Sequence, residues 1–243
     1  MATTSKVDIF GLLQRAPANG WCVVKLPDTF PMVRAGGDVD VFCRSIAEFC
    51  DYIMPYALNL AEETGCRLML QDVMPGRCHV DFIDGGAIDV RLDLCDAVPV
   101  WSRVRLKASF FDNVICSAVK KEMRGRDGEI GHIFIPTVID EAIIRYVEYS
   151  EYYWNGIDKM HHLQWIEDSV PVEMRNKLFE KLHMYTEMPH ASHQYGRQKG
   201  RSNNVDLTGG EIISILGAKI GNRIKDPRGT VRFIGGVLRR FWK

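Results

Sequence analysis

The chain has 243 residues, 46% hydrophobic and 26% charged, ordinary values for a globular protein that can bury a sizeable core. No apolar run approaches the roughly eighteen residues a membrane-spanning helix needs, which excludes that class. The net charge is zero, yet residues 196–243 carry eleven Lys or Arg against three Asp or Glu, so the first 195 residues hold the matching acidic excess.

A basic tail on an acidic body points to an anionic partner or to docking of the tail on the body. The first residues, Met-Ala-Thr-Thr-Ser-Lys-Val-Asp, lack the basic-then-apolar layout of a secretory signal. The seven cysteines are scattered singly, with no Cys-x-x-Cys pair. The expectation is therefore reduced core thiols in a cytoplasmic protein, without zinc or structural disulfides.

In chain order, residues 5–17 have the spacing of a short helix, with Ile9, Leu12 and Leu13 on one face. Residues 21–26 (Trp-Cys-Val-Val-Lys-Leu) read as a first strand, which Pro27, Asp28 and Pro31 break. Val39, Val41 and Phe42 belong to a second strand that ends near Ser45. Ser45 followed by Glu48 is a capping box opening a helix over 45–64, which Gly65 stops. Strands follow at 67–71, 78–83 and 87–94, the last two joined by Asp84-Gly85-Gly86, strong hairpin chemistry. Residues 98–106 and 114–119 are strand-like.

From Pro136 the texture turns helical, with Ile139, Ile143, Ile144 and Val147 at helical spacing. Further helices are predicted at 157–167 and 171–185. A His-, Ser-, Gly- and Asn-rich linker covers 186–208, and 210–243 reads as short amphipathic helices broken at Pro227-Arg228-Gly229. The organisation expected is a core over 1–130, a helical subdomain over 131–190, and a linker with a basic amphipathic tail over 191–243.

The chemistry concentrates in Gly36-Gly37-Asp38-Val39-Asp40-Val41 and in Ile88-Asp89-Val90-Arg91-Leu92. Residues two apart in a strand share a face, so Asp38 and Asp40 project together, just after two glycines that let a ligand approach the backbone. Asp89 stands on a strand of the predicted hairpin. Carboxylates converging from neighbouring strands repel one another unless cations lie between them. Two Mg²⁺ ions shared with substrate phosphates resolve that repulsion.

Asp-x-Asp after glycine, followed by a helix and a strand-borne third Asp, resembles the nucleotidyltransferase superfamily that includes DNA polymerase beta. Val23-Val24-Lys25 running through Arg34 to Asp40 is similar to the small bacterial members. The resemblance covers residues 20–95, with weaker agreement to about 185. It implies an α/β (α+β) fold, a mixed sheet with flanking helices, followed here by the helical region and basic tail. It also implies a transferase that moves a nucleoside monophosphate from an NTP such as ATP to a hydroxyl or phosphate acceptor. Asp38, Asp40 and Asp89 are then both the metal ligands and the catalytic carboxylates, with two Mg²⁺ as cofactor.

The superfamily's Gly-Ser triphosphate grip is absent: the equivalent stretch is Leu26-Pro27-Asp28-Thr29-Phe30-Pro31. Lys25 and Arg34 are the residues able to supply positive charge instead, with Gly36, Gly37, Arg91 and Lys159 completing the expected nucleotide-binding set. Each has a plainer alternative: Arg91 a structural ion pair, Lys159 an exposed helical lysine. Asp81 and Asp93 are either helpers of the acidic group or solvated strand carboxylates. Tyr146, Tyr149, Tyr152, Tyr153 and Trp154 are a stacking wall or, in the plainer reading, helix packing.

The tail interleaves Ile212, Ile213, Val231, Phe233, Val237, Leu238 and Trp242 with Arg and Lys. That composition suits peripheral contact with an anionic inner-membrane surface or docking on the body, and nucleic acid ranks below both. A membrane-side acceptor in surface-polysaccharide or envelope metabolism is one context. Others are a toxin-like or regulatory enzyme that modifies a protein or RNA, and a non-catalytic binding module on the same fold.

Overall fold

A computed structural model describes residues 3–99, 106–154 and 158–186. The chain divides into two compact units, one of residues 1–99 with 106–143 and one of residues 100–105 with 144–243. The architecture is mixed α/β, a multi-stranded sheet flanked by helices, followed by a C-terminal helical region.

The first unit opens with α1 (Ile9–Leu13), shorter than the helix expected over 5–17, and with Ile9, Leu12 and Leu13 all buried. Strand β1 (Trp21–Val24) precedes β2 (Gly37–Cys43). Helix α2 (Ile46–Thr64) starts where predicted, the Ser45 hydroxyl accepting from the Glu48 amide at 3.2 Å. It ends at Gly65, whose φ of 70° is the left-handed cap that glycine adopts freely. Strands β3 (Arg67–Met74), β4 (Arg77–Asp84) and β5 (Ala87–Cys95) follow. Gly85 and Gly86 both have positive φ, as a two-residue hairpin turn of that hand requires.

These five strands form one sheet in the order β1-β2-β5-β4-β3. Strand β2 pairs in parallel with β5, and the other neighbours are antiparallel. Alternation then sorts the residues onto two faces. One face carries Val23, Val39, Val41, Val80, Phe82, Val90 and Leu92, packed with Phe49, Ile53, Ala57 and Leu60 of α2 into a single apolar cluster. Each such fully buried large aliphatic or aromatic side chain contributes roughly 1.5–3 kcal/mol. The other face is charged.

Beyond the sheet, α3 (Ala108–Ser117) corrects the strand-like reading of 114–119: Phe110, Phe111, Val114 and Ile115 recur at helical spacing and are buried together. A hairpin not foreseen from the sequence follows, β6 (Val119–Arg124) with β7 (Ile130–Ile135). Its alternation is blurred because five of the six β6 residues are exposed, so the strand has no apolar face to announce it. Helix α4 (Val138–Trp154) is capped by Thr137, whose hydroxyl accepts from the Asp140 amide at 3.2 Å.

In the second unit, α5 (Met160–Ser169) begins three residues later than predicted, and a 3-10 turn (Val172–Met174) leads into α6 (Arg175–Tyr185). Tyr146, of the first half of the aromatic cluster, and Tyr149 are buried. The linker and basic tail lie outside the described residues, as does most of 98–106. Six of the seven cysteines are buried, Cys116 is exposed, and all are free thiols. Among the described residues, no helix is long and apolar enough to cross a membrane.

Candidate active site

The charged face of the sheet is built by register. Val24, Asp40, Asp93, His79 and Gln71 are successive cross-strand partners, forming one row over all five strands. Asp38, Arg91, Asp81 and Met69 form the next row. Neighbouring strands lie about 4.8 Å apart, so like charges in a row need counter-charges close by.

They have them. Lys25 Nζ lies 2.9 Å from Asp40 Oδ2. Arg91 grips Asp81 with two bonds of 2.6 and 2.8 Å. Arg77 grips Asp93 in the same bidentate way, Nε to Oδ1 at 2.8 Å and a second bond from its terminal nitrogen to Oδ2. Burial raises the Asp40 carboxyl above the usual carboxylate range, Lys25 pulls it back, and Asp38 and Asp93 push it up by like-charge repulsion. The Asp93 carboxylate in turn holds Arg77 more firmly protonated.

His79 completes the row differently. It is buried, its Nε2 stands 3.6 Å from Asp93 Oδ1, and neither ring nitrogen makes a hydrogen bond among the described residues. Burial lowers its pKa, which favours the neutral imidazole.

Asp38 and Asp40 therefore share a face as expected, Asp38 exposed and Asp40 half-buried. The structure does not put Asp89 to the same use. The pairs Phe82↔Val90 and Ile83↔Ile88 leave Asp89 as the extra residue of a bulge, a device that re-aims a side chain. Its Oδ2 accepts from the Ser5 hydroxyl at 2.6 Å and from the amides of Lys6 and Val7 at 2.9 and 3.4 Å. Asp89 thus clasps the N-terminal segment, and the carboxylate across the ladder from Asp40 is Asp93.

Of the remaining expected residues, Arg34 is exposed and bridges Thr4. Gly36 is exposed with φ of 77°, a conformation that side chains rarely adopt. A Cβ on Gly37 would meet the Arg34 carbonyl at 2.9 Å. Arg91 is a member of the Asp81 ion pair, its plainer alternative. Lys159 belongs to the second unit, 3.5 Å from Glu148 and over the Tyr152 ring at 4.9 Å.

Arg77 was not singled out from the sequence. The available signal was the alternation of Arg77, His79 and Asp81 along one strand, opposite Asp93 and Arg91.

Among the described residues, no three His, Cys, Asp or Glu side chains come together as a metal-holding group. Asp89 Oδ2 is held by the N-terminal segment, and both Asp93 oxygens are held by Arg77. Asp38 with Asp40 does fit one hard cation in donor chemistry, since Mg²⁺ in phosphate chemistry is commonly held by one or two carboxylates, the rest being waters and substrate oxygens.

Compared with protein-family models, with curated proteins and with solved structures, the chain gives no match.

Proposed function

We propose that the chain is a nucleotidyltransferase, on a nucleotidyltransferase-type sheet, whose reaction centre is the Asp38–Asp40 end of the charged face. The reaction is transfer of a nucleoside monophosphate from an NTP to a hydroxyl or phosphate acceptor, with pyrophosphate leaving. One observation carries the reading: two carboxylates project together from the strand that follows Gly36 and Gly37, and the outer one, Asp38, is exposed.

Asp38 and Asp40 would hold a Mg²⁺ ion. When bound, that ion offsets the charge of the phosphates and draws the polyphosphate to an otherwise acidic face. Gly36 and Gly37 let a phosphate come close to the backbone before Asp38. Arg34, exposed four residues before Asp38, is a cation that would meet the phosphates in place of a Gly-Ser grip. Asp93, held by Arg77, keeps Asp40's own row rigid, so Asp40 faces a fixed cross-strand neighbour instead of solvent.

The test is direct. The full chain is incubated with Mg²⁺ or Mn²⁺ and each α-labelled NTP, and pyrophosphate release and label transfer are followed for candidate acceptors and for the protein itself. Pyrophosphate release that Asp38→Asn and Asp40→Asn each abolish is the expected result. No release from any NTP, together with no NTP binding at millimolar concentration by calorimetry, would end the reading. The Lys25–Asp40 ion pair favours a second reading, a nucleotide-binding module without turnover. It predicts calorimetric binding with no pyrophosphate.

A further inference from the structure

Lys25 is out of step with its own strand. Val23 pairs with Val41 on the apolar face and Val24 pairs with Asp40 on the charged one. Continued extension would turn Lys25 back to the apolar face, alongside Val23. Instead Lys25 has φ of 53°, and it is the one non-glycine with positive φ among the described residues. A left-handed backbone is unfavourable for an ordinary L-residue and is held only where the surroundings impose it. Here it takes the side chain out of alternation, and its ammonium reaches Asp40 on the charged face at 2.9 Å.

An independent observation shows that the same row is not closed within itself. His79, the row's next member beyond Asp93, is 9% exposed, and among the described residues neither ring nitrogen is hydrogen-bonded. Buried polar groups are ordinarily paired, and an exception marks a place for a water, an ion or a ligand. Along the row, Asp40 has Lys25 as a fixed cation beside it, and His79, beyond Asp93, is an unsatisfied buried donor-acceptor group.

We infer that Lys25 is a built-in counter-cation of the Asp38–Asp40 pair: its ammonium occupies the cation position at Asp40, so the pair accepts a single divalent ion and accepts it against the repulsion of Lys25. The inference rests on the metal-site reading above and deepens it, since it fixes the number of ions and names the residue that sets their affinity. It also accounts for a motif that implies two ions on a face whose remaining carboxylates are already paired.

The probe is Mn²⁺ alone, counted on the full chain by the electron-paramagnetic-resonance signal of the free ion. The wild type binds no more than one Mn²⁺ per chain at the Asp pair. Lys25→Met binds Mn²⁺ more tightly by about tenfold, the scale of removing an ammonium a few ångströms from a divalent ion in water-like surroundings. Lys25→Gly gives the same gain while suiting the left-handed backbone, which covers the case in which Lys25→Met fails to fold. Lys25→Arg keeps the charge and stays at the wild-type affinity. Adding Asp38→Asn to Lys25→Gly removes the gain.

Equal, measurable Mn²⁺ affinity in the wild type and both neutral variants overturns the inference and leaves the metal site standing. Two ions bound to the wild-type pair overturn it as well. No Mn²⁺ bound to any variant removes the metal-site reading and this inference with it.

Discussion

Asp40 on β2 lies directly across the parallel ladder from Asp93 on β5, and each of the two carboxylates has its own cation, Lys25 for one and Arg77 for the other. The two ion pairs are not equivalent. Asp93 is almost fully buried while Arg77 reaches solvent, whereas Asp40 remains half-open beside the exposed Asp38. The Arg77–Asp93 pair therefore has its carboxylate sealed in the sheet face, and the Lys25–Asp40 pair has a carboxylate that keeps access to solvent.

That difference sets the first prediction. Arg77→Met leaves the Asp93 carboxylate buried without its bidentate partner, whereas Asp93→Asn leaves a guanidinium that can turn to water. Losing one partner of a buried pair costs about 3 kcal/mol or more. Arg77 itself reaches solvent, so Arg77→Met is expected to lose less than that full amount, about 1–3 kcal/mol, and Asp93→Asn clearly less again. Urea unfolding of both variants checks the order, and the reverse order would show that Asp93 is not the buried member that matters.

The Asp89 clasp makes a second prediction. Removing an acceptor from buried donors costs about 1–3 kcal/mol. Asp89→Ala is expected to lose that stability and to open the N-terminal segment to protease near Ser5–Val7, with Ser5→Ala showing a smaller loss of about 1 kcal/mol. Thermal melts and mass-mapped proteolysis read both. An Asp89→Asn protein of unchanged stability and protease resistance that has lost Mn²⁺ binding would return Asp89 to the metal site.

Gly37 gives a third. A Cβ there runs into the Arg34 carbonyl at 2.9 Å and the Val33 side chain at 3.2 Å, so the backbone just before Asp38 has to move. Gly37→Ala is expected to lower the melting temperature by several degrees, as about 1 kcal/mol does in a domain of this size, and to weaken Mn²⁺ binding by displacing Asp38. A variant with wild-type melting and binding would show that the turn absorbs the methyl freely.

The thiols provide a pH prediction. Burial pushes the Cys50 thiol up to about 11 and the Cys95 thiol up to about 12, from an ordinary value of 9.0. A raised folded-state pKa means the folded protein holds its proton while the unfolded chain releases it. The stabilisation is complete below about pH 9 and is lost as pH rises through 11 to 12. Stability measured between pH 8 and 11 is expected to fall progressively, and Cys50→Ala should flatten part of that slope. At pH 8 one thiol, the exposed Cys116, should react rapidly with a disulfide reagent, and the six buried ones only on unfolding. Rapid reaction of several thiols in the native state would contradict the burial.

Much of this protein is legible in its sequence because the determinants are local. Ser45, Glu48 and Gly65 bound α2 through caps that involve only near neighbours. Gly85 and Gly86 fix the turn of the β4–β5 hairpin. Alternation alone puts Asp38 and Asp40 on one face, and separates them from Val39 and Val41. The sequence was less informative at α3, where a short apolar run suits helix and strand alike, and at the exposed strand β6.

Only the tertiary structure decided which charges meet. Period-two alternation assigns a residue to a face but says nothing of the residue opposite it, because that depends on strand order and register. The parallel pairing of β2 with β5 set Asp93, not Asp89, across from Asp40. A single bulge at Asp89, invisible in the spacing of carboxylates, turned that residue to the N-terminal segment. One positive φ at Lys25, a conformation held by its surroundings, brought an ammonium to the Asp pair that the motif alone reserved for metal.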